Sequence, residues 1–405
     1  MQTNLADFIK NTADGIEAEA ILRACVHCGF CTATCPTYQI LGDELDGPRG
    51  RIYLIKQVLE GAEPTRKTQL HLDRCLTCRN CESTCPSGVK YGRLIDIGRK
   101  VVEAKVARPL GERITRTALK ESLPRAWIFK PAFKVGQAVR PLLSASLQDK
   151  LPATKSAGAW PTRSHARKML VLDGCVQPSM APNINAATAR VLDALGVQLM
   201  VAPKAGCCGA LRFHLNDQEA GLDDMRRNID AWWPLLDQVE AIVMTASGCG
   251  VTVKEYGHLL AHDPAYADKA AKVSALTLDL SEIMPQFEAE LSAKMAHKTA
   301  PRVAWHPPCT LQHGQQIRGK VESVLRAAGV DVVLCADSHL CCGSAGTYSV
   351  LQPELSKELR DRKLANLAAT GAAEIVSANI GCLTHLQSGT TTPVTHWIEL
   401  VDRML

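Results

Sequence analysis

The sequence predicts an α + α/β protein: a helical domain, then a duplicated α/β domain with parallel strands. Three observations predict it. Residues 25–36 read C-V-H-C-G-F-C-T-A-T-C-P and residues 75–86 read C-L-T-C-R-N-C-E-S-T-C-P, one C-x2-C-x2-C-x3-C-P run repeated 50 residues on. The chain between and around these runs is patterned for helices, not strands. From Lys168 onward, short apolar runs alternate with helix-length segments, and four cysteines of one half recur in the other at offsets of 134, 134, 134 and 133 residues. Strands alternating with helices imply a parallel sheet covered on both faces.

The helical part is read in order. Residues 1–24 should carry an amphipathic helix with Ile16, Ala20 and Ile21 on one side, entering Cys25. Gly47-Pro48 breaks the chain, and Arg51 to Glu60 then reads as a helix stopped by Gly61. A second helix approaches Cys75 through Leu70 and Leu72, and a third covers Tyr91 to Val106.

The two cysteine runs have the spacing of the bacterial ferredoxin ligand run, in which three thiolates hold one [4Fe–4S] cube and the fourth reaches across to the other. The proline after the fourth fixes φ and lacks an N–H, so the chain turns there. This places Cys25, Cys28, Cys31 and Cys85 on cluster 1, and Cys75, Cys78, Cys81 and Cys35 on cluster 2. Structural zinc also uses C-x2-C, but as separated pairs of ligands, which two identical four-cysteine runs do not match. A cube with four thiolates is an anion, so nearby cations would offset its burial. Arg23, Arg49, Arg51, Arg74, Arg79 and Lys90 are the candidates. Most should be ordinary surface charges, with roughly two touching a cluster.

Length and composition set bounds. At 405 residues the chain holds two or three domains. Its 17 cysteines are odd in number and eight lie in the two runs. The start M-Q-T-N-L-A-D-F-I-K has no basic segment leading into a long apolar one, so a reducing cytoplasmic setting is expected. No run of 18 apolar residues spans a membrane. The net charge of +5 is uneven: Arg99 to Lys168 holds 16 Lys/Arg against four Asp/Glu. Within it, L-P-R-A-W-I-F-K-P-A-F-K-V-G-Q-A-V-R-P-L-L mixes Trp127, Phe129 and Phe133 with basic residues. Membrane-surface contact, docking of a partner subunit and packing against the chain itself all suit this stretch. P-A-T-K-S-A-G-A-W-P-T reads as a linker.

In the duplicated part, M-L-V-L-D, V-Q-L-M-V and A-I-V-M-T are the strands of the first half. R-V-A-W-H, V-D-V-V-L and E-I-V-S-A are their counterparts. Cys175, Cys207, Cys208 and Cys249 correspond to Cys309, Cys341, Cys342 and Cys382, and each lies just past the carboxyl end of a strand. Open parallel sheets place their sites at that edge, so four thiols per half should converge and the halves should face one another. Either a further iron–sulfur centre, or packed inert thiols, or thiol chemistry on a substrate would account for them. Cys335 has no repeat partner and is assigned to the core. Gly314–Lys320, G-Q-Q-I-R-G-K, matches most of a phosphate-binding loop, but Val321 stands where magnesium needs a hydroxyl and no strand leads into it. His306, His313, His339 and His385 fall near the repeated cysteines and are read as ordinary hydrogen-bonded histidines.

With these motifs in place, the whole chain resembles the iron–sulfur subunits of bacterial glycolate oxidases. The resemblance is carried by A-C-V-H-C-G-F-C-T-A-T-C-P-T-Y, D-G-P-R-G-R-I-Y-L-I-K, L-D-R-C-L-T-C-R-N-C-E-S-T-C-P-S-G-V-x-Y-G, A-G-C-C-G-A-L and H-P-P-C-T-L-Q-H-G-Q. It implies a helical ferredoxin-type domain over 1–106, a basic Pro-containing linker over 107–167, and Cys-Cys-Gly repeats over 168–298 and 299–405. It implies FAD-binding partner subunits that oxidise glycolate to glyoxylate, with this chain carrying electrons to a quinone or other acceptor. The chain would then be inactive alone, free of nucleic acid, and peripheral on the cytoplasmic face of the inner membrane. Equivalent subunits serve lactate and glycerol-3-phosphate oxidation, and a thiol/disulfide reductase at the Cys-Cys-Gly site is the other alternative. In heterodisulfide reductases the Cys-Cys-Gly module holds a non-cubane cluster and ends in C-x2-C. Here the first cysteine of that pair is replaced by Ala246 in one half and Asn379 in the other.

Overall fold

The computed structural model describes residues 1–142, 156–296 and 301–405. Residues 143–155 of the expected linker and the expected repeat boundary at 298/299 lie outside the described residues. The chain groups into two units, Met1–Thr117 with His339–Lys363, and Ala118–Ser338 with Leu364–Leu405.

The first unit is helical: α1 (Ala13–Ala24), α2 (Phe30–Ala33), α3 (Pro36–Leu41), α4 (Pro48–Leu59), α5 (Arg66–Asp73), α6 (Asn80–Thr84) and α7 (Tyr91–Lys105). Thr12 caps α1 by accepting the Gly15 N–H at 3.0 Å. Pro36 and Pro48 sit in the first turns of α3 and α4, where a missing N–H costs nothing. The inward face of α1 is Gly15, Ala18, Ile21 and Leu22, while Ile16 is 62% exposed. The expected face was therefore off by part of a turn. Gly15 sets it, because a Cβ there would sit 1.9 Å from the Ile9 carbonyl oxygen. Leu22, Ile52, Ile55, Leu59, Leu72, Leu94 and Ile95 form the core. Segment 339–363 belongs to this unit: Asn80 Nδ2 donates to the His339 carbonyl at 3.2 Å and the Tyr348 hydroxyl to the Arg74 carbonyl at 3.2 Å.

The second unit holds two four-stranded, all-parallel sheets of one topology. β1 (Arg167–Val171), β2 (Val197–Val201), β3 (Ile242–Met244) and β4 (Thr277–Asp279) are ordered β2-β1-β3-β4. β5 (Arg302–His306), β6 (Asp331–Leu334), β7 (Glu374–Ser377) and β8 (Val394–His396) are ordered β6-β5-β7-β8. The central strands are apolar on both sides, as helical cover on both faces requires. The sequence reading found three strands per half and missed β4 and β8, three-residue edge strands without an apolar run. Their signal was the helix start that follows each: Asp279 with Glu282, and His396 with Glu399, close capping boxes.

The halves meet at the carboxyl ends of their strands. Ser247 and Thr310 share a hydroxyl hydrogen bond of 2.7 Å, and Asn379 Oδ1 accepts the Gly248 N–H at 3.3 Å. The phosphate-loop look-alike takes part in this contact. Gln315 Nε2 donates to Asp279 Oδ2 at 3.0 Å and to the Ser247 carbonyl at 3.2 Å.

Candidate metal centres

Both cysteine runs fold into the same loop. His27 and Gly29 have φ of 56° and 89°, and their counterparts 50 residues on, Thr77 and Arg79, have 52° and 58°. Left-handed residues at these places curl the backbone around a common point and turn its N–H groups inward. The His27 N–H accordingly reaches the Cys25 sulfur, and the Thr77 N–H lies 3.4 Å from Cys75 Sγ.

Sulfurs of the two runs meet: Cys25, Cys28 and Cys31 line one open cavity with Cys81 and Cys85, beside Val26, Ile52 and Tyr91. Burial raises the Cys31 thiol to about 11, and the sulfurs acting on it are Cys25, Cys85 and Cys28. Burial likewise pushes Cys81 well above the ordinary thiol range, with Cys78, Cys75 and Cys35 adding to it. Such crowded sulfurs become thiolates only when bound cations displace their protons. Among the described residues, the group that brings three ligand atoms within 4.8 Å of one another is Asp43, Asp46 and His71. Two identical four-cysteine runs match cubes, not the separated ligand pairs of structural zinc.

The cations divide unequally. Arg51 is 1% exposed; it donates from Nε to the His71 carbonyl at 2.7 Å and from a terminal nitrogen to Thr37 Oγ1 at 3.1 Å. Thr37 Oγ1 lies 3.3 Å from Cys35 Sγ. Burial works against the Arg51 charge, but Cys75, Tyr91, Cys35 and Asp46 outweigh it and push its pKa up. Arg99 grips the Cys75 loop, donating to the Leu72 and Cys75 carbonyls at 2.8 and 2.6 Å. Arg49 pairs with Glu44 and lies over Gly29, Arg74 meets the buried Asp46 at 2.8 Å, and Arg23 pairs with Glu19 at the surface. Thr37, Arg99 and the Tyr91 hydroxyl were not singled out from the sequence. Thr37 and Thr77 each follow a run cysteine by two residues, which was the available signal.

In the first repeat, all four matched cysteines converge. Cys175 is hydrogen-bonded to Cys207, Cys207 to Cys208, and Cys208 to Cys249, making a row of four free thiols, buried or half-buried. Hydrogen bonds from Cys175 and Cys208 favour the Cys207 thiolate, helped by the Gly209 N–H and Arg227. Gly209 explains the third letter of Cys-Cys-Gly: φ is 90°, and a Cβ would lie 2.5 Å from the Gly221 carbonyl oxygen. Asn228 and Tyr256 pin the pair by donating to the Cys207 and Cys208 carbonyls at 2.7 and 2.8 Å.

Known proteins resemble this chain over its whole length. Residues 21–89 match the 4Fe-4S dicluster domain, and residues 169–254 and 303–387 each match the cysteine-rich domain. The glycolate oxidase iron-sulfur subunit of Escherichia coli (strain K12) is 56% identical over 407 residues, covering 100% of this chain and 99% of that protein. The chain belongs to the glycolate oxidase iron–sulfur subunit family. The probable glycolate oxidase iron-sulfur subunit of Bacillus subtilis (strain 168) is 32% identical, covering 92% of this chain and 89% of that protein. Lactate utilization protein A of Bacillus licheniformis is 26% identical over only 52% of this chain.

As a member of the glycolate oxidase iron–sulfur subunit family, the chain carries two [4Fe–4S] clusters and is an electron-transfer subunit of an oxidoreductase. Its second set of repeat cysteines is distributed over both units: Cys341 and Cys342 fall in the first, Cys309 and Cys382 in the second. Asn379, in place of a cysteine, donates to Cys382 Sγ at 3.6 Å as well as accepting from Gly248. Ala246 is buried at the start of the helix Ser247–Lys254. His306 shares a 3.1 Å hydrogen bond with Ser377 Oγ in the core, as read from the sequence.

Proposed function

We propose that this chain carries electrons within a complex that oxidises glycolate to glyoxylate, receiving them from FAD on partner subunits and delivering them to a quinone. We assign Cys25, Cys28, Cys31 and Cys85 to cluster 1, and Cys75, Cys78, Cys81 and Cys35 to cluster 2. The observation that supports this is that Cys85 of the second run lines the same cavity as Cys25, Cys28 and Cys31 of the first, in two loops of one backbone shape. A bound [4Fe–4S] cluster supplies one-electron storage and release at a potential set by its surroundings. The protein's part is to hold the sulfurs, place charge beside them and leave Cys28 at the surface, where it is exposed.

The row Cys175–Cys207–Cys208–Cys249 is the candidate for a further redox site, either a third iron–sulfur centre or a thiol/disulfide couple. Contact with the cytoplasmic face of the membrane is supported by helix Ala126–Val139, where Trp127 and Val135 are 75% and 64% exposed. No helix among the described residues is long and apolar enough to cross a membrane.

The test is reconstitution. The isolated chain, purified without oxygen, should not oxidise glycolate, and adding the flavin subunits should restore glycolate-dependent quinone reduction. Glycolate oxidation by this chain alone would reject the proposal. Iron near eight per chain fits two cubes, and iron near twelve adds a third centre.

A further inference from the structure

Tyr91 stands between the two sulfur sets and is a ligand of neither. Tyr91 lines the cavity that holds Cys25, Cys28, Cys31 and Cys85 together with Cys81, while its hydroxyl lies 3.7 Å from Cys75 Sγ. It is 3% exposed. A phenol hydroxyl has one hydrogen to donate, and here it is aimed at Cys75 Sγ. The residue at the matching place after Cys25 is Leu41, which has no hydroxyl.

The two sets also differ in exposure. Cys35, Cys75 and Cys81 are all buried, whereas Cys28 is exposed and Cys31 and Cys85 are half-buried. Reduction adds a negative charge, and a low-dielectric setting penalises that charge. Hydrogen bonds to cluster sulfur and nearby positive charge act in the opposite sense and raise the potential. The backbone donors match, His27 N–H on Cys25 and Thr77 N–H on Cys75, and Arg49 lies beside the first loop near the surface. What cluster 2 adds is the Tyr91 hydroxyl on Cys75 and fully buried Arg51, linked to Cys35 through Thr37.

We propose that Tyr91 and Arg51 are positioning residues that hold up the reduction potential of cluster 2, keeping the buried cluster able to accept electrons. This rests on the ligand assignment above. Tyr91→Phe keeps the ring that packs at cluster 1 and removes only the donor at cluster 2, so the change should fall on one centre.

EPR-monitored redox titration of the purified complex tests this. Cys28→Ser and Cys78→Ser first mark which signal belongs to which set. In Tyr91→Phe, iron content should be unchanged, the centre marked by Cys78→Ser should move to lower potential, and the centre marked by Cys28→Ser should stay. Arg51→Gln should move the same centre in the same direction, and Arg51→Lys should move it less. If Arg51→Gln loses iron, Tyr91→Phe alone decides. Unmoved potentials in Tyr91→Phe, or equal movement of both, would overturn the inference while leaving the ligand assignment intact. If Cys28→Ser and Cys78→Ser disturb the same signal, the ligand assignment fails, and this inference with it.

Discussion

His396 of the second repeat donates its Nε2–H to the Thr245 carbonyl of the first, 2.9 Å away, while its Nδ1 accepts the Ile398 N–H at 3.2 Å. Both ring nitrogens are thereby committed to the neutral form. A proton added at Nδ1 would face the Ile398 N–H. Burial lowers the pKa of His396 to about 4, against smaller opposing effects of Glu399 and the Thr245 carbonyl.

A pH dependence follows. An unfolded histidine titrates near 6.5, so the unfolded chain binds more protons than the fold between about 6.5 and 4. This stability is complete above pH about 6.5 and is lost as pH falls towards 4, on the order of 3 kcal/mol in total. Urea unfolding of the full chain at pH 7.5 and 5.0 should show the loss. In His396→Gln the difference between the two pH values should shrink; an unchanged difference would remove His396 as its source.

The exchange of fourth cysteines makes a second prediction. Cys85→Ser lies in the second run but should disturb the cluster of the first, and Cys35→Ser the reverse. Each variant should keep about four of about eight irons if the damaged cube is lost outright. Cys85→Ser and Cys28→Ser should share one EPR phenotype, and Cys35→Ser and Cys78→Ser the other. Pairing by run instead of across runs would refute the assignment.

A third concerns packing beneath the clusters. Gly98 on α7 faces Ile55 on α4, and an added Cβ would lie 2.6 Å from Ile55 Cγ1. Both residues are buried, so neither helix can step aside without disturbing the core. Gly98→Ala should destabilise the chain by about 1–3 kcal/mol, read as a lower urea midpoint at constant slope. Gly98→Ala with Ile55→Val should recover part of the loss.

These particulars show what the sequence carried and what it did not. Cysteine spacing is a local quantity fixed by the cluster, so the two runs and the repeat offsets were legible directly. The apolar cores of β1, β2, β3, β5, β6 and β7 were legible because buried parallel strands are apolar on both faces. The three-residue edge strands β4 and β8 were not, having too little periodicity to read. Nor was the role of Tyr91, whose sulfur lies 16 residues away, or the link of Thr37 to Arg51, 14 residues on, since both depend on helix packing. The face of α1 differs for a similar reason: the close approach of Gly15 to Ile9, a contact outside the helix, decides which side goes inward.

The last prediction concerns the basic segment. In the helix Ala126–Val139 and the turn after it, Trp127, Val135, Val139 and Leu142 fall on one face at helical spacing and all are exposed, Leu142 by 86%. Lys130 and Lys134 flank that face and are exposed too. Phe133 points the other way, is buried, and stacks on Phe129 at 5.4 Å between ring centroids. The aromatic residues are thus divided, with Phe133 packed into the protein and Trp127 left outside. A tryptophan beside lysines is the pattern of an interfacial helix, whose binding combines apolar burial with attraction to anionic headgroups. Co-sedimentation of the complex with vesicles containing phosphatidylglycerol should fall several-fold in Trp127→Ser with Leu142→Ser. Raising salt should weaken wild-type binding, and vesicles of phosphatidylcholine alone should bind less. Equal binding by the double variant would rule this face out as the membrane contact.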